Sequence, residues 1–192
     1  MRYLQQIRKA PGIVVWRVRH YGLAVTWTWL WTRVFMWTVG REVWRYIEVT
    51  PQLLVGGQMR AAGWRWLVAR GVTADLNLRE EHDDRHLGVP PEAYLWLPTT
   101  DDYAPSQEQL RAGVAFIDQV VRQGGKVYVH CASGVGRAPT MAAAYLISTG
   151  MTPRRAVATI QRVRPFIKPT LPQIEALEHF AAEQAATQLP SS

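Results

Sequence analysis

Cysteine is nearly absent: Cys131 is the single one in 192 residues. That excludes an internal disulfide framework and a cysteine-based zinc site, and it suits a reducing compartment. Acidic residues are scarce at the N-terminal end, where Glu42 and Glu48 stand against eight Lys or Arg in the first fifty positions, a net +6 out of a total of +7. The basic character thus belongs to one end of the chain. No internal repeat or low-complexity segment is present, and no nucleic-acid-binding module accompanies the basic residues, so nucleic acid is not an expected partner. A long unbroken apolar run is missing as well. Residues 21–32 carry no charge, Arg33 interrupts, and the uncharged stretch resumes to Gly40. A secretory signal is not expected, because the apolar stretch starts late and Arg41 follows it at once.

What the N-terminal end does have is tryptophan. Six of the nine (Trp16, Trp27, Trp29, Trp31, Trp37, Trp44) lie there, interleaved with Arg17, Arg19, Arg33, Arg41 and Arg45. Pro11-Gly12 breaks the opening and predicts a helix from about Ile13 onward. Arg33, Trp37, Arg41 and Arg45 recur at four-residue steps, which puts a basic stripe on that helix. Three placements fit. The helix lies in the headgroup region of an anionic membrane, as Trp/Arg-rich helices of modest hydrophobicity do; or it spans, although Thr and Trp stand where a spanning helix favours Leu and Ile; or it packs its tryptophans on the rest of the chain. Residues 1–45 therefore read as a Trp/Arg-rich helical segment, 46–186 as one α/β domain, and 187–192 as a flexible tail.

Within 46–186, residues 46–49, 53–55, 72–78 and 94–97 read as strands, and residues 61–70 as a helix stopped by Gly71. The acidic cluster 80–84 (Glu-Glu-His-Asp-Asp) reads as a solvated charged turn, since one histidine among four carboxylates in a loop is a poor metal set. Ser106 caps a helix to Arg122, with Glu108 supporting its first turn. Thr152-Pro153 opens another helix through about Val163, and Leu171-Pro172 a last one to about Gln184. Strands separated by helices predict a mostly parallel sheet covered on both faces.

One stretch carries chemistry. Residues 126–130 alternate and are rich in β-branched and aromatic side chains, so they form a buried strand ending at His130. Cys131 follows, then Ala132-Ser-Gly-Val-Gly136, Arg137, and a small, apolar helix beginning near Pro139. A glycine-bearing loop between a strand and a helix N-terminus turns backbone N–H groups inward and makes an anion cradle. Positive potential there favours a thiolate over a thiol. Arg137 adds a planar fork suited to two phosphate oxygens. Together these residues imply nucleophilic attack on a phosphate ester, which also requires an acid to protonate the departing oxygen.

His130-Cys131, five residues and Arg137 resemble the signature of the cysteine-dependent protein tyrosine phosphatase superfamily. Residues 47–57 and Asn77-Leu-Arg79 are similar to the opening of its dual-specificity branch. The resemblance covers about residues 46–182 and implies a dual-specificity phosphatase-like fold, with Cys131 as nucleophile, Arg137 as phosphate ligand and His130 as a structural neighbour that helps hold the thiolate. It places Ala132, Ser133, Gly134, Val135 and Gly136 in the phosphate-binding loop. It also places the acid on a loop before the cysteine, where Asp101, thirty positions ahead of Cys131 and preceded by Pro98, is the choice and Asp102 its neighbour. This chemistry calls for neither a metal nor an organic cofactor.

Two departures from the family pattern matter. Where most members carry Ser or Thr after the arginine, this chain has Ala138, so the phosphoenzyme lacks a hydroxyl at its leaving sulfur unless Ser133 or Thr140 substitutes; plant glucan phosphatases share Arg-Ala-Pro. Ala132, Ser133 and Val135 also supply no charge inside the loop, which argues against polyphosphoinositides and less against singly phosphorylated lipids. The expected function is a dual-specificity phosphatase acting on phosphotyrosine and phosphoserine or phosphothreonine. The alternatives are a phosphatase of a singly phosphorylated membrane lipid and a phosphate-binding pseudophosphatase. The expected setting is a cytoplasmic catalytic domain, its membrane contact through residues 1–45 left open.

Overall fold

The computed structural model describes residues 2–88, 91 and 93–188, with the backbone alone for 2–11, 13, 187 and 188. Four strands, β1 (Leu53–Gly56), β2 (Val72–Arg79), β3 (Ala93–Thr99) and β4 (Lys126–His130), pair in parallel in the order β1-β4-β2-β3. The α/β expectation holds. Alternation along β4 decides the layering: Val127 and Val129 face one core, Tyr128 and His130 the other. The larger core lies beneath α3 (Gln107–Arg122), α4 (Arg137–Ser148), α5 (Pro153–Val163) and α6 (Leu171–Gln188). The smaller is closed by Trp64 and Leu67 of α2 (Ala61–Val68) against Leu54 and Tyr128.

Local signals are used where expected. Ser106 caps α3 in a reciprocal capping box with Gln109, and Thr152 caps α5 by accepting from the Arg155 N–H. Three expectations need correction. Residues 46–49 are not a strand: a 3-10 turn runs Trp44–Tyr46, and only Glu48 bridges back, antiparallel, to Leu54. The turn at Thr50-Pro51 reverses the chain too soon for a longer ladder. Second, α4 begins at Arg137, with Pro139 inside its first turn, where a missing N–H costs nothing. Third, α6 continues to Gln188, and of the expected tail residues 189–192 lie outside the described residues.

The N-terminal segment forms α1 (Arg2–Val39), which runs through Pro11-Gly12 and breaks instead at Gly22, whose φ of 80 and ψ of 168 are not helical. Thr26 and Thr32 are buried, the buried Arg17 donates to the Phe166 carbonyl at 2.9 Å, and its guanidinium lies 4.4 Å from the Trp29 ring centre. No helix among the described residues is long and apolar enough to cross a membrane.

Candidate active site

β4 delivers Cys131 to the end of the sheet beside Gly56 of β1, whose carbonyl accepts from the Cys131 N–H at 3.4 Å. The chain then turns sharply, and the Gly134 N–H points at Cys131 Sγ from 3.3 Å. Gly134 has φ of +62, and a Cβ there would stand 2.4 Å from the Gly56 carbonyl carbon, so the turn requires glycine. Cys131 is buried.

The loop's carbonyls point the other way, onto the residue that follows the end of α5. Arg164, fully buried, donates through Nε to Gly134 O (2.9 Å) and through Nη2 to Ser133 O (3.2 Å). Its Nη1 reaches Tyr46 O at 2.8 Å. Glu42 balances its charge at 3.1 Å, and the same carboxylate oxygen accepts the Gly57 N–H at 3.0 Å. With its carbonyls held outward, the loop is left with its amides for an anion.

Arg137 opens α4 with its side chain fully buried. Nη1 donates to Thr99 O at 2.8 Å, both terminal nitrogens reach Glu81 (3.1 and 3.2 Å), and Nη2 meets Asp101 Oδ1 at 2.9 Å. Burial works against its charge, yet the Glu81 hydrogen bonds and the nearby Cys131 and Asp101 raise its pKa. Its Nε is buried and has no partner among the described residues, a donor available to an oxyanion. Asp101 is brought to the arginine with most of its carboxylate in solvent. Asp102 instead takes a left-handed φ of 66 and lends its carbonyl to Thr170 Oγ1 at 2.9 Å. Gln173, fully buried, ties the same loop down by donating to Tyr103 O at 2.8 Å, and lies beside Gly136.

The acidic cluster is no solvated turn. Glu81 bridges Arg137 and Arg79 (3.0 Å); partial burial would raise its pKa, but hydrogen bonds from Arg137, its own backbone and Arg79 lower it to about 2. Asp83 accepts from Arg85 and from the Tyr94 hydroxyl. Asp84 is wholly buried, accepting from Trp64 Nε1 (3.0 Å) and Gln58 Nε2 (2.8 Å). It lies 3.4 Å from His130 Nε2, while Asp75 of β2 lies 3.1 Å from the same nitrogen. Burial pushes Asp75 up to about 6 against the pull of His130; burial would lower His130, but Asp75 and Asp84 raise it overall. Asp75, Asp84 and His130 are the one group among the described residues placed to share a metal ion. An imidazolium between two carboxylates accounts for the same arrangement as an ion pair, set directly behind Cys131.

A cavity of about 540 Å³ lies between α1 and the loop, lined by Arg33, Arg60 and Arg79, by Val34, Met36 and Trp37, and by Ala132. Ser133 remains in the loop, whereas the Thr140 hydroxyl donates to Gly136 O at 2.9 Å.

Comparison with known proteins bears on this arrangement. Rat dual specificity protein phosphatase 5 is 35% identical over 107 residues, 54% of this chain and 27% of that protein, so the chain spans about a quarter of that relative's length. Rat phosphatidylglycerophosphatase and protein-tyrosine phosphatase 1 is 32% identical over 165 residues, 80% of this chain and 86% of the relative. The crystal structure of PTPMT1 in complex with PI(5)P superposes with a TM-score of 0.69 at 28% identity, covering 73% of this chain and 97% of that one. The family model of the dual specificity phosphatase catalytic domain matches residues 55–183, a span that runs from within β1 to within α6 and holds the whole Cys131 loop. Sequence, strand order and loop thus agree, and the chain belongs to the dual-specificity branch of the cysteine-dependent protein tyrosine phosphatase superfamily.

Proposed function

We propose that this phosphatase hydrolyses phosphate monoesters through a covalent phosphocysteine on Cys131. The observation that carries this reading is the meeting, around Cys131, of an inward-facing amide loop with the paired side chains of Arg137 and Asp101. In the first step the Cys131 thiolate attacks phosphorus and the ester P–O bond breaks. Asp101 gives its proton to the departing oxygen, while the loop amides and Arg137 hold the equatorial oxygens as charge shifts between them. In the second step Asp101, now a carboxylate, takes a proton from water, which attacks phosphorus. The S–P bond breaks, and inorganic phosphate and the thiolate are restored. Glu81 and Thr99 O hold the Arg137 plane in place, and Arg164 fixes the loop backbone.

For substrate, the cavity beside Ala132 favours a singly phosphorylated membrane lipid. Its three arginines suit a second anionic group, and Val34, Met36 and Trp37 suit the apolar part of an amphiphile. The relative that matches along most of its length is by name both a phosphatidylglycerophosphatase and a protein-tyrosine phosphatase. A phosphorylated tyrosine, serine or threonine side chain is the second reading, favoured by the uncharged interior of Ala132, Ser133 and Val135. A phosphate-release panel of phosphopeptides, phosphoglucans and vesicles carrying a phosphomonoester lipid decides between them. Lipid kcat/KM at least tenfold above that for peptides is expected; the reverse order returns the chain to protein substrates, and no release from any of them overturns the enzymatic reading.

A further inference from the structure

One face of α1 is packed and the opposite face is not. Beyond the break at Gly22, Thr26, Trp29, Thr32 and Met36 turn toward the rest of the chain, while Leu23, Trp27, Leu30, Trp31, Val34 and Trp37 form a single stripe of helical period that is 38–75% exposed. Scattered apolar residues on a surface need no explanation, but six on one stripe, half of them tryptophan, do. The threonines between them are less polar than they look: Thr28 and Thr38 each return their hydroxyl to the carbonyl four residues back, at 2.9 and 3.0 Å. With the donors used inside the helix, their methyl groups add to the apolar face.

The charge around the stripe selects its occupant. Residues 1–41 contain no Asp or Glu, and Glu42, the first in the chain, is buried against Arg164. Arg33, exposed, lies at the edge of the stripe next to Trp37, Arg19 is exposed one turn before Gly22, and Lys168 Nζ sits 3.5 Å from the Trp16 ring centre. Stacking two copies through this face would oppose two acid-free, arginine-edged surfaces. An anionic lipid surface is complementary to it, and tryptophan prefers the headgroup boundary. No helix among the described residues is long and apolar enough to cross the bilayer.

We propose that the outward face of α1 docks on an anionic bilayer and thereby sets the mouth of the active site at the membrane surface. Val34 and Trp37 belong both to the stripe and to the arginine-lined cavity that touches Ala132, so the docked face is continuous with the substrate path. The proposal deepens the phospholipid reading and rests on it for what docking achieves. A headgroup leaving the bilayer plane would meet Arg33, Arg60 and Arg79 before the Cys131 loop, without the acyl chains being extracted into water.

The test is flotation of the full chain with phosphatidylglycerol-containing vesicles and with pure phosphatidylcholine vesicles, alongside L23E/W27E, two substitutions at exposed positions away from the cavity. Wild type is expected to float with anionic vesicles, to bind neutral ones at least tenfold more weakly, and to lose binding as salt rises. The double variant is expected to lose anionic binding at least tenfold while hydrolysing a soluble aryl phosphate at the wild-type rate. Failure of the wild type to float, equal flotation of the variant, or a wild-type dimer in solution that the variant dissolves would overturn the proposal. Flotation with intact aryl-phosphate hydrolysis but no release from vesicle lipid supports docking and overturns the lipid-substrate reading alone.

Discussion

Asp101 Oδ1 lies 2.9 Å from Arg137 Nη2, joining an exposed loop carboxylate to a guanidinium that is itself fully buried. The contact spans the gap between the β3–α3 loop and the first turn of α4. It distinguishes Asp101 from Asp102, whose left-handed backbone engages Thr170 instead. A carboxylate so placed stands next to the phosphate that Arg137 would hold, where a departing oxygen needs its proton.

Asp101→Ala is therefore expected to lower kcat roughly 10²- to 10³-fold for substrates with poor leaving groups and to change little for an aryl phosphate whose phenol leaves unaided. Asp102→Ala is expected to leave both rates within a few-fold of wild type. A leaving-group series on the two variants checks this.

Arg164 and Glu42 are both buried, so removing one strands the other. Arg164→Met is expected to cost about 3–5 kcal/mol of stability in denaturant unfolding, and adding Glu42→Gln to recover part of it. Activity stays low in the double variant, because the carbonyls of Ser133 and Gly134 have lost the donor that turns them outward.

Those two residues also show where the sequence stopped being informative. The strand, loop and helix around Cys131 were legible because their signals are local: alternation over 126–130, two glycines, and a helix following at once. Asp101 was legible only through family resemblance. Arg164 and Glu42 are separated by 122 positions, and no local pattern announces such a pair. Glu81 and Asp84 looked like solvated charge because a run of acids in a loop usually is. Their partners, Arg137, Trp64 and His130, arrive from other strands and helices only once the sheet is assembled.

Glu81 gives stability a pH signature. Its pKa is depressed in the fold, to about 2 from an ordinary 4.5, so its contribution is present above 4.5 and is lost as pH falls from there toward 2. The Tm gap between wild type and Glu81→Gln is expected to be full at about pH 6 and closed by about pH 2. A gap that widens on acidification would show that Arg137 does not hold this carboxylate.

Ala138 sits fully buried in the first turn of α4, and the Thr140 hydroxyl is committed to Gly136 O. Ala138→Ser is expected to speed phosphoenzyme breakdown roughly tenfold, the equivalent of one added hydrogen bond to the leaving sulfur. Burst kinetics separate the two steps; the burst should shrink relative to the steady state, and an unchanged second step would assign that hydroxyl's work to Ser133.

The covalent intermediate itself is the most direct test. Full-length Asp101→Ala protein, mixed with an aryl phosphate, quenched in acid within one turnover and digested, should carry phosphate on the Cys131 peptide, and Cys131→Ser should release none. Phosphate on another residue, or turnover surviving in Cys131→Ser, would contradict the phosphocysteine mechanism.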